Sequence, residues 1–387
     1  MNPAKENKLH PNSPIGEIAR VFLRLGFVAF GGPAAHIALM EEEFVRRRAW
    51  VTRERFLDLV GAVSLLPGPS STELAIYLGQ IRGGLWGLIV AGAAFIFPAV
   101  AFVLGLAWAY VRFGATPQVA GLLFGVKPVV VVLIAQAVWS LGKTALRTLP
   151  LAIAAVIVLA LAAYGVPALA LLIGAGVCWM LAKETLSLRA KNPAYLPIAG
   201  PAATSSAILV TAGLAPVFFY FLKVGAVLFG SGYVLLAFLH ADLVVRLRWL
   251  TEAQLLDAIA ISQGTPGPFF TVSTFLGYVL GGWRGALLAT AGMFLPAFVY
   301  VAATARILPG LRQSKMAGAF LDGVNAAAVA LMAFVGLQFA RAVLANIPAL
   351  LLAAISALLV FRYRVNSAWI IAAAAITGVV LRLLHWI

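Results

Sequence analysis

LLPGPSSTEL, residues 65–74, and GTPGPFFTVS, residues 264–273, are one break written twice. They lie inside a longer match. Residues 22–72 align with 221–271 without a gap at an offset of 199 residues, so that Gly26 falls on Gly225, Phe30 on Phe229, Gly31 on Gly230, Trp50 on Trp249, Thr52 on Thr251, Asp58 on Asp257 and Thr72 on Thr271. Pro67-Gly68-Pro69 falls on Pro266-Gly267-Pro268. After one deletion the offset becomes 198, and Gly84 meets Gly282, Gly87 meets Gly285, Pro98 meets Pro296 and Gly125 meets Gly323. Chance does not produce that run of Gly, Pro and Trp. A duplicated apolar half interrupted by helix breakers is the signature of a secondary transporter whose site lies where the halves meet.

Composition fixes the solvent. The chain is 63% hydrophobic and 11% charged, with a mean hydropathy of +1.01, whereas a soluble domain carries about 25% charged residues. Apolar runs long enough to cross a bilayer recur throughout, for example 85–111, 119–141, 286–303 and 326–340. They are continuous rather than alternating, which argues against a barrel and for helices, the other structure that satisfies its backbone in lipid. The expected fold is an all-α integral membrane protein, a polytopic bundle of two homologous halves. The net charge of +15 is scattered over short loops, as positive-inside anchoring requires, and this argues against nucleic-acid binding. The single cysteine, Cys178, excludes an intramolecular disulfide and reads as a packed small hydrophobe.

The reading along the chain gives an N-terminal tail at 1–14, a first repeat at 15–182, a linker at 183–206 and a second repeat at 207–387. The tail lacks the apolar core of a cleavable signal. Apolar segments at 15–40, 56–81, 83–111, 118–142, 148–164 and 166–182 recur at 207–240, 254–280, 283–304, 318–342, 347–361 and 367–386. Pro-Gly-Pro in mid-segment breaks a helix, since proline removes a donor and clashes with the preceding turn and glycine leaves helical dihedrals cheaply. The broken segments either cross as two half-helices or re-enter. If they re-enter, each half has five spans, the halves are inverted repeats, and the larger share of loop Lys and Arg, among them Arg46, Arg47, Arg48, Arg82, Lys143, Arg147 and Lys183, falls on one side. That model is preferred.

Each break ends one half-helix and starts another, and a helix start presents unpaired N–H groups and partial positive charge. Ser70, Ser71 and Thr72 follow the first break; Thr271, Ser273 and Thr274 follow the second. Small hydroxyls beside free N–H groups suit a tetrahedral oxyanion. Gly31-Gly32 and Gly230-Ser231-Gly232 open a second break in the preceding segments. The candidate substrate-binding set is therefore Gly31, Gly32, Pro67, Gly68, Pro69, Ser70, Ser71, Thr72, Gly230, Ser231, Gly232, Pro266, Gly267, Pro268 and Thr271. The competing reading is that these residues permit kinks and close helix packing without a ligand. Ionisable residues in apolar surroundings face pathways by default, which makes His36, Glu73, Arg82, Lys127 and Arg284 the coupling or gating candidates. Glu73 could accept a proton or pair with Arg82; Lys127, Arg24 and Lys223 could instead snorkel to the interface. No metal-ligand spacing, Walker A loop, nucleophile elbow or dinucleotide fingerprint appears in a proper context. The expectation is no cofactor, no metal and no enzyme activity.

Phe30-Gly31-Gly32-Pro33 with His36, then Glu43-Phe44-Val45, Trp50-Val51, Phe56-Leu57-Asp58, Leu66-Pro67-Gly68-Pro69 and Arg82-Gly83-Gly84 resemble the first half of the CHR chromate ion transporter family. Phe229-Gly230-Ser231-Gly232, Trp249-Leu250-Thr251, Asp257 and Gly264-Thr265-Pro266-Gly267-Pro268 resemble its second. The resemblance covers nearly the whole chain, in the long two-domain form. It implies chromate efflux across the bacterial cytoplasmic (inner) membrane and chromate resistance, with sulfate as a chemical look-alike. Export through alternating access would follow the membrane potential, with proton antiport through Glu73 as a variant. The alternatives are a transporter or channel for another anion and, less favoured, a membrane enzyme or scaffold. Glycine-rich helices serve internal packing and a homodimer contact alike. The second half has Val272 at the place of Glu73 and leucines, Leu235 and Leu236, in the region of His36, so the halves are chemically unequal.

Overall fold

The computed structural model describes residues 15–30, 32–64, 66–114, 116–189, 213–228, 232, 234–304 and 315–384; the N-terminal tail and most of the expected linker lie outside them. The described residues are helical: α1 (Ile15–Val28), α2 (Gly32–Glu41), α3 (Arg53–Val63), α4 (Ser70–Phe113), α5 (Pro117–Ala145), α6 (Leu149–Ala163), α7 (Ala168–Arg189), α8 (Leu214–Val227), α9 (Val234–Leu239), α10 (Glu252–Gly264), α11 (Val272–Thr304), α12 (Lys315–Val343), α13 (Ile347–Ala357) and α14 (Ser367–Leu383). Helical stretches at 70–113, 117–145, 269–304 and 316–343 are long and apolar enough to cross a bilayer.

The chain divides into two compact units that cut across the sequence repeats. One contains residues 1–114, 213–232 and 261–309; the other contains 115–212, 233–260 and 310–387. Each unit thus draws on both halves of the sequence.

In the first unit, α1 and α2 form an antiparallel hairpin. Glu17 meets Arg48 at 2.7 Å, Phe22 stacks on Phe44 with centroids 4.9 Å apart, and the His36 ring reaches the Ala29 carbonyl. Residues 15–40 are therefore not one continuous span. The chain turns back at the glycine-proline cluster, where Gly32 sits at φ +80°, a conformation that side-chain-bearing residues rarely adopt. α3, started by Thr52, whose hydroxyl accepts from the Arg55 amide, leads inward to the first Pro-Gly-Pro. The first arm of α4, 70–82, then returns: Arg82 lies 3.8 Å from Glu17 and its guanidinium stands over the Trp50 ring. Residues 17, 48, 50 and 82 share one edge of the unit.

α4 is itself a hairpin. Gly83 and Gly84 leave helical dihedrals, Gly84 at φ 59°, ψ −146°, and a long arm runs on to Phe113. The arms touch through glycine: a Cβ on Gly79 would collide with the Gly87 carbonyl and Ala91. α11 repeats the device at Gly281 and Gly282, the latter at φ 59°, ψ −152°, with Gly277 against Gly285. Without a hydrophobic drive between helices in lipid, such backbone approach supplies the packing. Gly267 lies against Ala99 and Phe275 against Tyr110, so the first arm of α11 runs along the long arm of α4. The second arm of α11 returns, placing Phe298 against Gly92. The long arms of α4 and α11 are antiparallel. Even strained backbone is copied: Ala49 and Arg248, 199 residues apart, have φ of 48° and 54°.

The second unit exchanges helices in the same manner. Gly125 of α5 is pressed against the Ala374 carbonyl of α14, and Gly323 of α12 against the Ala175 carbonyl of α7. Asp322 gathers Arg147 at 2.8 Å and Lys183 at 3.3 Å.

Candidate functional site

The two breaks are tied to each other's halves. In Pro-Gly-Pro only the glycine carries an N–H, because proline has none. Gly68 N–H donates to the Leu228 carbonyl at 2.7 Å, and Gly267 N–H donates to the Ala29 carbonyl at 2.8 Å. Ala29 and Leu228 are related by the same offset of 199 as Gly68 and Gly267, so this is one hydrogen bond made twice about a pseudo-twofold axis. The reciprocity extends to the packing: Gly26 is pressed on the Phe95 carbonyl and Gly225 on the Met293 carbonyl. Gly68, at φ +136°, and Gly267, at φ +92°, hold conformations that favour glycine.

This geometry refines the expected oxyanion cradle. The glycine N–H groups of the breaks are engaged in the cross-tie, which leaves the helix starts to provide donors. Thr72 and Glu73 N–H already return to the Pro69 carbonyl, and Thr271 N–H to Pro268. The first N–H groups of α4, at Ser70 and Ser71, have no carbonyl within their own helix by helix geometry. Of the expected hydroxyls, Thr271 donates to the Pro268 carbonyl at 2.9 Å, and Ser273 donates to Phe270 at 2.8 Å. Thr274 meets Thr290 at 2.7 Å. The fully buried Thr72 Oγ1 has no hydrogen-bond partner. The hydroxyls after the second break therefore serve their own helix, whereas Thr72 Oγ1 after the first is open; just before the second break, Ser262 Oγ and Gln263 Nε2 are also buried without a partner. Gly32, Pro67, Pro69, Pro266 and Pro268 shape the turns; Gly232 packs on Phe270. Gly31, Gly230 and Ser231 lie outside the described residues.

His36 joins this network. Its Nε2 contacts the Ala29 carbonyl at 3.1 Å and its Nδ1 contacts Ser71 Oγ at 3.2 Å. A carbonyl can only accept, so Nε2 donates and, in the neutral ring, Nδ1 accepts from Ser71. The Ala29 carbonyl thus receives both His36 and Gly267, which links the helix after the first break to the glycine of the second.

Glu73 is 0% exposed, and neither carboxyl oxygen has a hydrogen-bond partner. Oε1 occupies the space beside Gly68 where a Cβ would stand 2.5 Å away. The Glu73–Arg82 pair does not form. Nine residues along one helix separate them by about 13 Å at 1.5 Å rise, and Arg82 is held by Glu17 and Trp50 at the edge. Arg284 is exposed and lies over Trp283, the arrangement of an interfacial anchor. Arg24 and Lys223 are also exposed, at matching positions on α1 and α8.

Lys127 does not snorkel. In the second unit its Nζ lies 2.9 Å from Asp257, with side-chain exposures of 24% and 7%. Removing one partner of a buried pair costs about 3–5 kcal/mol because the other charge is stranded. Lys127→Met is therefore expected to lower the Tm of the purified protein clearly, and Lys127→Met with Asp257→Asn to recover much of that loss. Equal Tm values for the single and double variants would show that the pair is not coupled.

Sequence reasoning missed the carbonyls of Ala29 and Leu228, the role of Asp257 and the edge residue Glu17. The offset of 199 relates the two cross-tie bonds, but nothing in side-chain chemistry marks a backbone acceptor. Among the described residues, no three His, Cys, Asp or Glu side chains gather as metal ligands.

Comparison with known proteins agrees with the doubled pattern. The family model described as "Chromate transporter" matches twice, at residues 16–180 and 215–379. A chromate transport protein of Cupriavidus metallidurans is 31% identical over 376 residues, covering 96% of this chain and 94% of the relative. One from Pseudomonas aeruginosa is 32% identical over 379 residues, covering 92% and 90%. A probable chromate transport protein of Synechococcus elongatus is 27% identical over 380 residues, covering 96% and 97%. No solved structure matches the chain.

Proposed function

Since the chain belongs to the chromate transporter family, we propose that this multi-pass membrane protein is a secondary transporter that exports chromate from the bacterial cytoplasm across the inner membrane. The observation that carries the site is the reciprocal hydrogen bonding of the two Pro-Gly-Pro breaks, which gathers broken backbone from both halves at one place. Broken backbone at membrane depth needs protein or a water-lined cavity around it. The helix start at Ser70 offers N–H groups and the positive end of a helix dipole. These can replace the hydration shell of a tetrahedral dianion without covalent chemistry. Arg24 and Lys223 add positive charge at matching positions of the two halves.

We take the halves, at 15–182 and 207–387, as inverted repeats and the first Pro-Gly-Pro segment, α3 with the first arm of α4, as re-entrant. The antiparallel long arms of α4 and α11 support inversion, and the shared edge of Glu17, Arg48 and Arg82 supports re-entry. Alternating access then consists of one repeat rocking against the other around the breaks. With a negative interior, the potential favours dianion export by about 2.3 kcal/mol per charge per 100 mV.

The test is chromate accumulation in cells producing the protein, with and without sulfate, before and after the membrane potential is collapsed. Lower accumulation that requires the potential supports export. Unchanged accumulation, with the protein verified in the membrane, rejects chromate as cargo. Selective relief by sulfate would favour the second reading, a transporter of the wider oxyanion class.

A further inference from the structure

The first arm of α4 carries a line of polar atoms that the anion site does not explain. Glu73, Tyr77 and Gln80 are spaced i, i+4 and i+7, which places them on one helix face. Glu73 Oε1 and Oε2, Tyr77 Oη and Gln80 Oε1 are all buried and without hydrogen-bond partners. Tyr77 is 3% exposed and Gln80 is half-buried. The line starts at the break, beside Gly68, and ends two residues before Arg82, at the edge formed with Glu17 and Trp50. Buried polar atoms are costly unless satisfied, and hydrogen-bonding partners such as water satisfy them. These four unpartnered oxygens lie in register along one face, from the edge to Glu73.

The second half does not repeat it. Val272 stands after Thr271, and with the offset of 198 set by Gly79 and Gly277, Phe275 replaces Tyr77 and Tyr278 replaces Gln80. The polar line is present in one half alone.

We propose that Glu73 takes up a proton through the Tyr77–Gln80 face and that this proton travels with the oxyanion, in the same direction. The argument is electrostatic and rests on the reading that the anion sits at the breaks. A carboxylate beside a dianion in a low-dielectric site repels it, so anion binding and protonation of Glu73 favour each other. Mutual support gives co-transport, whereas antiport requires that each exclude the other. Among the described residues, the ionisable groups facing this arm from its neighbours are few. α2 presents His36, held by Ala29 and Ser71. α11 presents Tyr300, which donates to the Ala226 carbonyl. α3 presents Arg55 toward Tyr77. α1 presents Glu17, paired with Arg48 and Arg82. None of them hydrogen-bonds to the Glu73 carboxyl, which leaves the proton as its partner.

The experiment uses the full-length protein in liposomes with a trapped pH dye, the potential clamped, and an inward chromate gradient at a pH where chromate is the dianion. Wild type is expected to acidify the lumen as chromate enters. Glu73→Gln is expected to lose the proton-to-chromate ratio. Tyr77→Phe is expected to keep the ratio and slow coupled uptake about five- to tenfold, by deleting one hydroxyl of the line rather than removing the carrier. Chromate uptake with alkalinisation, or with no pH change, in the wild type overturns the proposal and leaves the anion site standing. A Glu73→Gln variant that still acidifies the lumen also overturns it. Absence of chromate flux from folded protein overturns the anion-site reading, and the proposal with it.

Discussion

Gly267→Ala is expected to reduce chromate transport by more than tenfold while the protein still reaches the membrane. Gly267 sits at φ +92°, where an L-residue costs about 1–2 kcal/mol. A Cβ there would stand 2.6 Å from the Ala99 Cβ on the long arm of α4. That neighbour is fixed to a helix backbone and cannot swing aside, so overpacking adds about 1–3 kcal/mol. The two effects act on the bond from Gly267 N–H to the Ala29 carbonyl, and so on the contact between the halves. Gly68→Ala, with its φ of +136°, meets the Glu73 carboxyl rather than backbone. It is expected to impair transport as well and to change its pH dependence. Gly105→Ala is the control, since nothing lies within 4 Å of its Cβ position and alanine is the better helix former. Flux per molecule of protein in liposomes checks all three. Full activity of Gly267→Ala would show that the cross-tie is not needed.

The second large effect is on assembly. Gly79→Leu is expected to remove most folded protein from the membrane, and Gly277→Leu to do the same. Each glycine faces the backbone carbonyl of its partner arm, Gly87 or Gly285. A side chain there separates the arms of a hairpin whose turn depends on Gly83-Gly84 or Gly281-Gly282. Helix association in lipid rests on close van der Waals contact, so no compensating hydrophobic collapse is available. The yield of monodisperse protein after detergent extraction measures this. Normal yield from both variants would mean that the arms do not pack as described, and a loss from one alone would break the symmetry between α4 and α11.

The breaks and the doubling are legible because glycine and proline act locally, and their repetition at one offset needs no knowledge of packing. The fate of residues 15–40 is less legible. That stretch is long and apolar enough to cross, and its glycine cluster permits either a kink or a return. The decision lies with Glu17 and Arg48, which meet across 31 residues of sequence. The interleaving of the halves is hidden for a similar reason. Gly125 and Gly323 align, but the sequence does not say that each packs on the last helix of the opposite half. Lys127 stands out as a charge in an apolar helix; Asp257, its partner, is identified by three-dimensional contact. The hydroxyls after the breaks are a different case: their positions suit an anion, and Thr271 and Ser273 hydrogen-bond to their own helix.

In the proposed function, an oxyanion binds where the two breaks cross. Binding of radiolabelled chromate to purified protein, with sulfate as competitor, tests it most directly in wild type, Gly68→Ala, Gly267→Ala and Gly105→Ala. Saturable binding displaced by sulfate is expected, strongly weakened by either break substitution and retained in Gly105→Ala. Binding that survives both break substitutions unchanged, in protein shown to be folded, would contradict it.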